Sequence, residues 1–242
     1  MMITETSLKC VDAFWAKEQL CSIEDLSSSQ ARIIPQQNPN RKEYVSLFQR
    51  NDFLQIKCSP SLFDIMTNAL QTVDRKTIFE ARVLQNLIAD RIDAIIGPAY
   101  IGYADMITEQ PKESFNIKHL SLDDYEAFNR FTRELSELDL EHSGLDQSQP
   151  IAYCLREGDI IAAAGYKIWG ECIAHIGVAT HPAHRGNGIG RAVVRRIAEY
   201  AIKEGLVAQY RTLVANQPSI KIAQTLGFEE YARTIYIRAN AA

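Results

Sequence analysis

The chain has 242 residues, of which 46% are hydrophobic and 23% charged, proportions typical of a folded globular protein. Its 26 basic and 30 acidic residues give a net charge of −4, which argues against a nucleic-acid partner. We find no signal peptide and no run of about 20 apolar residues, so we expect neither secretion nor a membrane partner. The five cysteines are scattered without a Cys-x-x-Cys pair. We therefore predict no disulfide framework, no metal site and a cytoplasmic protein with reduced thiols.

The first half of the chain gives a weak pattern of elements. In chain order we predict a helix over 7–20, a long loop over 21–43, a helix that begins at Ser59-Pro60, a helix over 77–89, a strand over 92–96 that ends at Gly97-Pro98, and a partner strand over 99–104. The composition changes near Gln110-Pro111-Lys112. We therefore expect an N-terminal accessory α/β domain over 1–114 and a second domain over 115–242.

The second half gives a clearer pattern. It predicts a short strand over 117–120, a helix over 123–138, strands over 151–156, 160–169 and 172–180, a helix over 188–204, a strand over 207–214, a helix over 218–226, and strands over 228–231 and 234–238. A hairpin-rich segment followed by alternating strands and helices indicates a mixed α/β sheet with at least one parallel crossover.

A glycine-rich loop joins the predicted strand 172–180 to the helix that follows. Glycines alternate at 186, 188 and 190, and the backbone of such a loop can approach a ligand closely. The loop opens a helix, where free N–H groups and the helix dipole favour an anion. Arg185 and Arg191 flank it, which suits a pyrophosphate. The loop lacks the Lys-Ser/Thr of a P-loop and the spacing of a dinucleotide fingerprint, while a tight turn without ligand remains an alternative.

The segment Arg185-Gly186-Asn187-Gly188-Ile189-Gly190 resembles the Arg/Gln-x-x-Gly-x-Gly/Ala signature of the GNAT N-acetyltransferase superfamily. A second segment, Asn216 to Phe228, is similar to the Asn-x-x-Ser…Leu-Gly-Phe helix of that superfamily. The resemblance covers about residues 115–242 and looks closest to the FR47-like branch. It implies a mixed, splayed sheet flanked by helices, preceded here by the smaller N-terminal α/β domain.

The resemblance also implies how acetyl-CoA, the co-substrate, would be held without a metal. Backbone groups of Val178, Ala179 and Thr180 would pair with the pantetheine arm, and the sheet would splay between 172–180 and 207–214. Asn216 and Ser219 would contact the cofactor beyond the thioester. The pyrophosphate would lie on the loop amides and the flanking arginine, namely Arg185, Gly186, Asn187, Gly188, Ile189, Gly190 and Arg191.

The catalytic groups are not assigned by the resemblance. Many relatives place a tyrosine acid seven residues after the asparagine, where this chain has Ala223. A base on the strand before the loop would align with Ala174 or Ile176, so we interpret His175, on the opposite face, as a packed histidine. Glu141 and His142, in the predicted turn after the helix 123–138, are candidates for the base, although solvent-exposed loop residues are the simpler interpretation.

The charged residues in 119–149 are mostly acidic, and in the family this region borders the acceptor cleft, although the solvent-exposed face of an amphipathic helix is the simpler interpretation for most of them. An acidic rim would attract a cationic amine. We therefore expect an N-acetyltransferase acting on a primary amine of a small cationic metabolite or of a peptide. A non-catalytic CoA-binding sensor and an acyltransferase with a longer acyl-CoA are the alternatives, and a homodimer is possible for each of them.

Overall fold

The computed structural model describes residues 3–37, 42–75, 77–88, 91–108 and 115–240. Its helices are α1 (Glu5–Gln19), α2 (Phe63–Thr72), α3 (Ala81–Ile88), α4 (Tyr125–Glu134), α5 (Glu137–Ser143), α6 (Ile189–Lys203) and α7 (Gln217–Leu226). Its strands are β1 (Ala31–Pro35), β2 (Glu43–Arg50), β3 (Phe53–Cys58), β4 (Ile92–Ala104), β5 (Asn116–His119), β6 (Ile151–Arg156), β7 (Asp159–Trp169), β8 (Ile173–Thr180), β9 (Val207–Leu213) and β10 (Glu229–Ala239).

The elements of the second half agree with the predicted ones from β6 to α7 within two residues. Two differences follow from local chemistry. The helix predicted over 123–138 is two helices, because Leu135 is extended and the Ser136 side chain accepts a hydrogen bond from the Asp139 amide and so begins α5. The two C-terminal strands are the single strand β10.

The first half departs further from the predicted pattern. The predicted loop 21–43 contains β1, and β2 and β3 form a hairpin that the sequence pattern did not reveal. The strand predicted to end at Gly97-Pro98 continues through both residues to Ala104, because Gly97 adopts a φ of +127° that few other residues reach. The predicted domain boundary near 110–114 lies outside the described residues.

The chain divides into two compact units. Unit 1 comprises Met1–Val11, Gly102–Arg211 and Pro218–Glu229, and unit 2 comprises Asp12–Ile101, Thr212–Gln217 and Glu230–Ala242. Strand β4 passes from unit 2 into unit 1.

Unit 1 contains a mixed sheet with strand order β4-β9-β8-β7-β6-β5. Strands β5 to β8 are antiparallel neighbours, and β8 and β9 are parallel and joined by α6. One face of this sheet packs on α4 through a cluster that includes Phe128, Phe131, Tyr153 and Ala179. This is the mixed α/β sheet with a parallel crossover that the sequence predicts.

Unit 2 has the strand order β1-β3-β2-β10-β4, with α2 and α3 packed on its apolar core. Its buried charges are paired. The Asp12 carboxylate lies 2.8 Å from the Arg50 guanidinium and accepts a 2.8 Å hydrogen bond from the Tyr231 hydroxyl, while Arg50 stacks 4.3 Å from the centre of the Tyr231 ring.

One expectation about the cysteines is wrong. Cys10 on α1 and Cys172 before β8 form a disulfide within unit 1, with their Cα atoms 6.6 Å apart. The two residues are 162 positions apart in the sequence, so spacing could not reveal the pair. Cys21, Cys58 and Cys154 are free thiols. Among the helices of the described residues, none is long and apolar enough to cross a membrane.

Candidate functional site

Strands β8 and β9 pair only at their beginnings. Their parallel register runs from Ile173 opposite Val207 to Ile176 opposite Tyr210, and within the described chain it goes no further. On its other side β8 stays paired with β7 up to Thr180. The backbone from Gly177 to Thr180 therefore has one side that no strand of the described residues occupies, which is the splay predicted between these two strands.

The loop that follows β8 is held by hydrogen bonds among its own residues. His181 caps a single 3-10 turn, Pro182–His184, by accepting a hydrogen bond from the Ala183 amide. The Arg185 amide donates to the Pro182 carbonyl at 3.3 Å. Since that amide is already used, we expect Arg185 to reach an anion through its guanidinium rather than through its backbone N–H.

The glycines give the loop its conformation. Gly186 and Gly188 have φ values of +81° and +80°, and Gly188 is the N-cap of α6. The amides of Gly186, Asn187 and Gly188 have no hydrogen-bond partner among the described residues. The Ile189 and Gly190 amides belong to the first turn of α6, where a helix offers no internal acceptor. The structure thus brings together free amides at the N-terminus of a 15-residue helix, the arrangement that binds phosphate groups.

The Arg185 side chain is placed by two partners. Its Nε donates to the Thr180 carbonyl at 3.0 Å, and its guanidinium lies 2.9 Å from the Asp139 carboxylate on α5. The Ser136 hydroxyl, and after it the Arg185 guanidinium, hold the pKa of Asp139 below its ordinary value. The pair is half exposed, so an anion on the loop can compete with Asp139 for Arg185 at little cost.

Helix α5 also touches β8 directly. An added Cβ at Gly177 would overlap the carbonyl oxygen of Ser143, the last residue of α5. Only glycine lets the helix end so close to the strand. Glu141 and His142 lie in this helix and are exposed. The prediction that they occupy a turn is wrong, because Ser136 starts a second helix that includes them.

Helix α7 carries the second predicted motif. Asn216 precedes α7, and its amide donates to the Leu213 carbonyl at 2.9 Å. The Ser219 hydroxyl is hydrogen-bonded to Tyr210, whose pKa burial raises to about 12. Ala223 is fully buried, so the position where the resemblance led us to look for a tyrosine acid holds a core methyl group. The cofactor contacts predicted for Asn216 and Ser219 remain predictions.

A row of side chains crosses four neighbouring strands just before the splay. His175 on β8 is half-buried, and its Nδ1 lies 2.6 Å from the Gln209 Oε1 on β9. The Gln209 side-chain amide, fully buried, donates to the Tyr103 hydroxyl on β4. The Trp169 ring of β7 stacks on the imidazole, with centroids 3.9 Å apart and planes 17° apart.

The sequence pattern indicates a packed His175 and does not reveal its partners Gln209 and Tyr103. Alternation along β9 could have flagged Gln209, since a glutamine in an otherwise apolar buried strand needs partners. The pKa of His175 is lowered to about 4, mainly because the imidazole is buried. The hydrogen bond with Gln209 raises this pKa, while the charges of Arg211 and Lys167 lower it.

Comparison with known proteins places this site in a family. The model of the "Acetyltransferase (GNAT) family" matches residues 114–228. A streptothricin acetyltransferase from Streptomyces lavendulae is 31% identical over 75 residues, which are 30% of this chain and 40% of that protein. The chain therefore spans well under two thirds of the length of this curated relative.

One of the solved structures that resemble this chain reaches a TM-score of 0.50 and shares its fold. The crystal structure of a GNAT-family acetyltransferase from Novosphingobium aromaticivorans superposes with a TM-score of 0.50 at 21% identity, over 62% of this chain and 68% of that one. An acetyltransferase from Salmonella typhimurium, solved with its cofactor acetyl-CoA, superposes with a TM-score of 0.40 at 16% identity, over 54% of this chain and 96% of that one. The family model identifies residues 114–228 as an acetyltransferase domain of the GNAT family, and the predicted acyltransferase assignment is confirmed for that segment.

Proposed function

We propose that this chain transfers the acetyl group of acetyl-CoA to the nitrogen of a primary amine. The observation that carries the proposal is the divergence of β8 and β9 after Ile176 and Tyr210, next to the loop amides at the N-terminus of α6. A cofactor with an amide-containing arm and a pyrophosphate needs an unpaired strand segment and an anion site close together. Unit 1 offers both.

The residues present fit acetyl-CoA. The arm would run along the free backbone side of Val178, Ala179 and Thr180, and the pyrophosphate would rest on the amides from Gly186 to Gly190. The added charge of the Arg185 guanidinium, freed from Asp139, would balance that of the pyrophosphate. The thioester of bound acetyl-CoA would supply the acetyl group, and the protein would hold that thioester in place for the amine to attack.

The acceptor we infer is a cationic amine. The helices α4 and α5, which border this face of the sheet, expose Glu126, Glu134, Glu137 and Glu141 to solvent. A negative rim raises the local concentration of cations. The name of the S. lavendulae relative couples its acetyl transfer to streptothricin, so we place that antibiotic and small polyamines first among the acceptors to test, ahead of a peptide amine.

The buried methyl of Ala223 favours a second candidate, a CoA-binding sensor without catalysis. An acyltransferase with a longer acyl-CoA is the third. We keep three finer assignments as proposals: membership of the FR47-like branch, an accessory role for residues 1–114, and a homodimer. A cytoplasmic location is a further proposal, and the Cys10–Cys172 disulfide is the feature that speaks against it.

The first experiment is thermal unfolding with acetyl-CoA, with butyryl-CoA and with ATP. A ligand present at about 100 times its dissociation constant adds roughly 2.7 kcal/mol to the free energy of unfolding. We expect stabilisation by acetyl-CoA and none by ATP. Release of the CoA thiol is then followed with a panel of amines. Binding without turnover on any amine would establish the sensor, and stronger turnover with butyryl-CoA would establish the longer acyl donor.

Two matched variants distinguish a specific loss of cofactor binding at the loop from a general loss of stability. Gly188→Leu changes the N-cap of α6 at the loop, while Gly205→Leu places the same side chain at the other end of α6, at a similar φ of +82° and with open space around it. Loss of acetyl-CoA binding in the first variant alone supports the assignment. Equal acetyl-CoA affinity in both variants would reject it.

A further inference from the structure

The Arg185 guanidinium joins the cofactor loop to helix α5. Its Nε donates to the Thr180 carbonyl at 3.0 Å, and one of its terminal nitrogens lies 2.9 Å from the Asp139 carboxylate. The backbone amides that follow, from Gly186 to Gly188, form the anion site described above. In this structure, the cation that flanks the anion site is thus paired with a carboxylate of the chain itself.

Asp139 does not need Arg185 to keep its place. Its carboxylate also accepts a 2.7 Å hydrogen bond from the Ser136 hydroxyl, and about a third of its side chain is exposed to solvent. The Ser136 hydroxyl oxygen in turn accepts a 3.0 Å hydrogen bond from the Asp139 amide, so the start of α5 is capped without the arginine. Release of Arg185 would leave a hydrated, hydrogen-bonded carboxylate rather than a buried unpaired charge, and it would therefore cost little.

The Arg185 side chain can change partners without leaving the loop. The hydrogen bond from its Nε to the Thr180 carbonyl anchors the guanidinium at the end of β8, and half of the side chain is exposed. Only the terminal nitrogens have to turn from Asp139 toward a pyrophosphate on the loop amides. A carboxylate and a pyrophosphate this close together repel each other, and one guanidinium cannot neutralise both. The two anions therefore compete for Arg185.

We propose that Asp139 is an intramolecular competitor for the pyrophosphate of the cofactor, and that it sets the affinity of the site for acetyl-CoA and for CoA. This inference rests on the proposed acetyl transfer. Acetyl-CoA and the product CoA carry the same pyrophosphate, so Asp139 weakens the binding of both by the same factor. Binding energy that acts equally on substrate and transition state does not raise kcat, and release of the product limits many enzymes. By weakening pyrophosphate binding, Asp139 lets CoA leave sooner.

Isothermal titration of Asp139→Asn with acetyl-CoA and with CoA tests this competition. An exposed ion pair changes an equilibrium constant by about two- to fivefold, so the variant should bind both ligands tighter than wild type by that factor, equal for the two. Glu137→Gln is the matched control. It removes the same charge from an exposed position of α5, two residues before Asp139. Its affinities should stay within about 1.5-fold of wild type at physiological salt.

A double-mutant cycle shows whether the effect depends on Arg185. Arg185→Gln removes the cation and should weaken the binding of both ligands. Asp139→Asn should then add nothing in the Arg185→Gln background, because no cation is left to compete for. An equal gain in both backgrounds would mean general repulsion by the carboxylate and would overturn the proposal. Weaker binding in Asp139→Asn alone would overturn it as well, since Asp139 would then hold Arg185 in place for the cofactor.

Two further measurements separate this inference from the proposed function. A crystal structure with CoA should show the Arg185 guanidinium on the pyrophosphate and beyond ion-pair distance of Asp139, and an intact pair in that complex would overturn the competition. Inorganic pyrophosphate, titrated against the amide signals of Gly186 and Gly188, should also bind about two- to fivefold tighter to Asp139→Asn. Wild-type protein that binds pyrophosphate but neither acetyl-CoA nor CoA would overturn the proposed function, while that gain for pyrophosphate would still support the competition for Arg185.

Discussion

The contact between Gly177 and helix α5 allows the sharpest test of how the site is built. Replacing Gly177 by alanine adds one methyl group that would overlap the Ser143 carbonyl oxygen. Gly177 does not have a positive φ, so alanine can adopt its backbone conformation, and the whole effect comes from the collision. The obstacle is a backbone atom, which cannot rotate away as a side chain would.

The last turn of α5 is also held in place. The Ser143 hydroxyl donates to the Leu140 carbonyl at 2.8 Å, and Gln149 donates to the Gly144 carbonyl at 3.0 Å. Overpacking of this kind costs about 1–3 kcal/mol, and we expect a value near the upper end. For a protein of this size, each kcal/mol lowers the unfolding midpoint by about 2–4 °C, so the midpoint should fall by about 6–12 °C.

Thermal and urea unfolding measure this loss, and Gly165→Ala is the control. Gly165 lies directly opposite Gly177 on β7, and its added methyl would meet the Ile151 side chain and the Pro150 carbonyl at 3.0 Å. That contact is tight but not an overlap, so we expect a clearly smaller loss than in Gly177→Ala. A Gly177→Ala protein within about 0.5 kcal/mol of wild type would refute the reasoning, because α5 could not then end against β8 as described.

Three further outcomes are expected. Gly188→Leu should weaken acetyl-CoA binding. Because leucine must adopt the left-handed φ of Gly188, the variant should lose no more than about 1–2 kcal/mol of stability. An unchanged acetyl-CoA affinity in isothermal titration would contradict the loop assignment. Cys10→Ser should lower the free energy of unfolding by about 2–4 kcal/mol without reductant and leave it unchanged in excess dithiothreitol; equal loss in both conditions would mean that the cysteines do not pair. The lowered pKa of His175, about 4 against an ordinary 6.5, means that the unfolded chain takes up the proton first as pH falls. Stability should therefore drop between pH 6.5 and 4 by up to about 3 kcal/mol more in wild type than in His175→Gln, and parallel pH curves would exclude a buried neutral imidazole.

Much of unit 1 could be predicted because its elements carry local signals. In strands β6 to β8, apolar residues alternate with polar ones or form an unbroken run between turn residues. Helix α6 has apolar residues at the helical period and a glycine at each end. The division between α4 and α5 could also have been predicted from the sequence. Ser136 followed by Asp139 is the pattern of a helix start, and the helical period running through it concealed the break.

The β2–β3 hairpin of unit 2 lacked such a signal. Strand β2 is buried at five of its eight positions, so its sequence shows neither the alternation of a strand nor a helical period. Strand β1 is short and pairs in parallel with β3, some 20 positions later in the chain, from Ala31 opposite Leu54 onward. Pairing at that distance is decided by the partner strand, which a local window does not contain.

The two halves of the candidate site differ in the same way. A cofactor bound by backbone amides leaves a local trace, because the loop must contain glycines wherever a side chain would block the ligand or the required φ is positive, as at Gly186 and Gly188. The surroundings of His175 depend on neighbours from other strands. Its imidazole is hydrogen-bonded to Gln209, 34 residues later in the chain, and the Gln209 side chain is bonded to Tyr103, 106 residues before Gln209. A glycine motif can therefore be recognised from sequence, whereas these contacts become visible only when the strands are placed side by side.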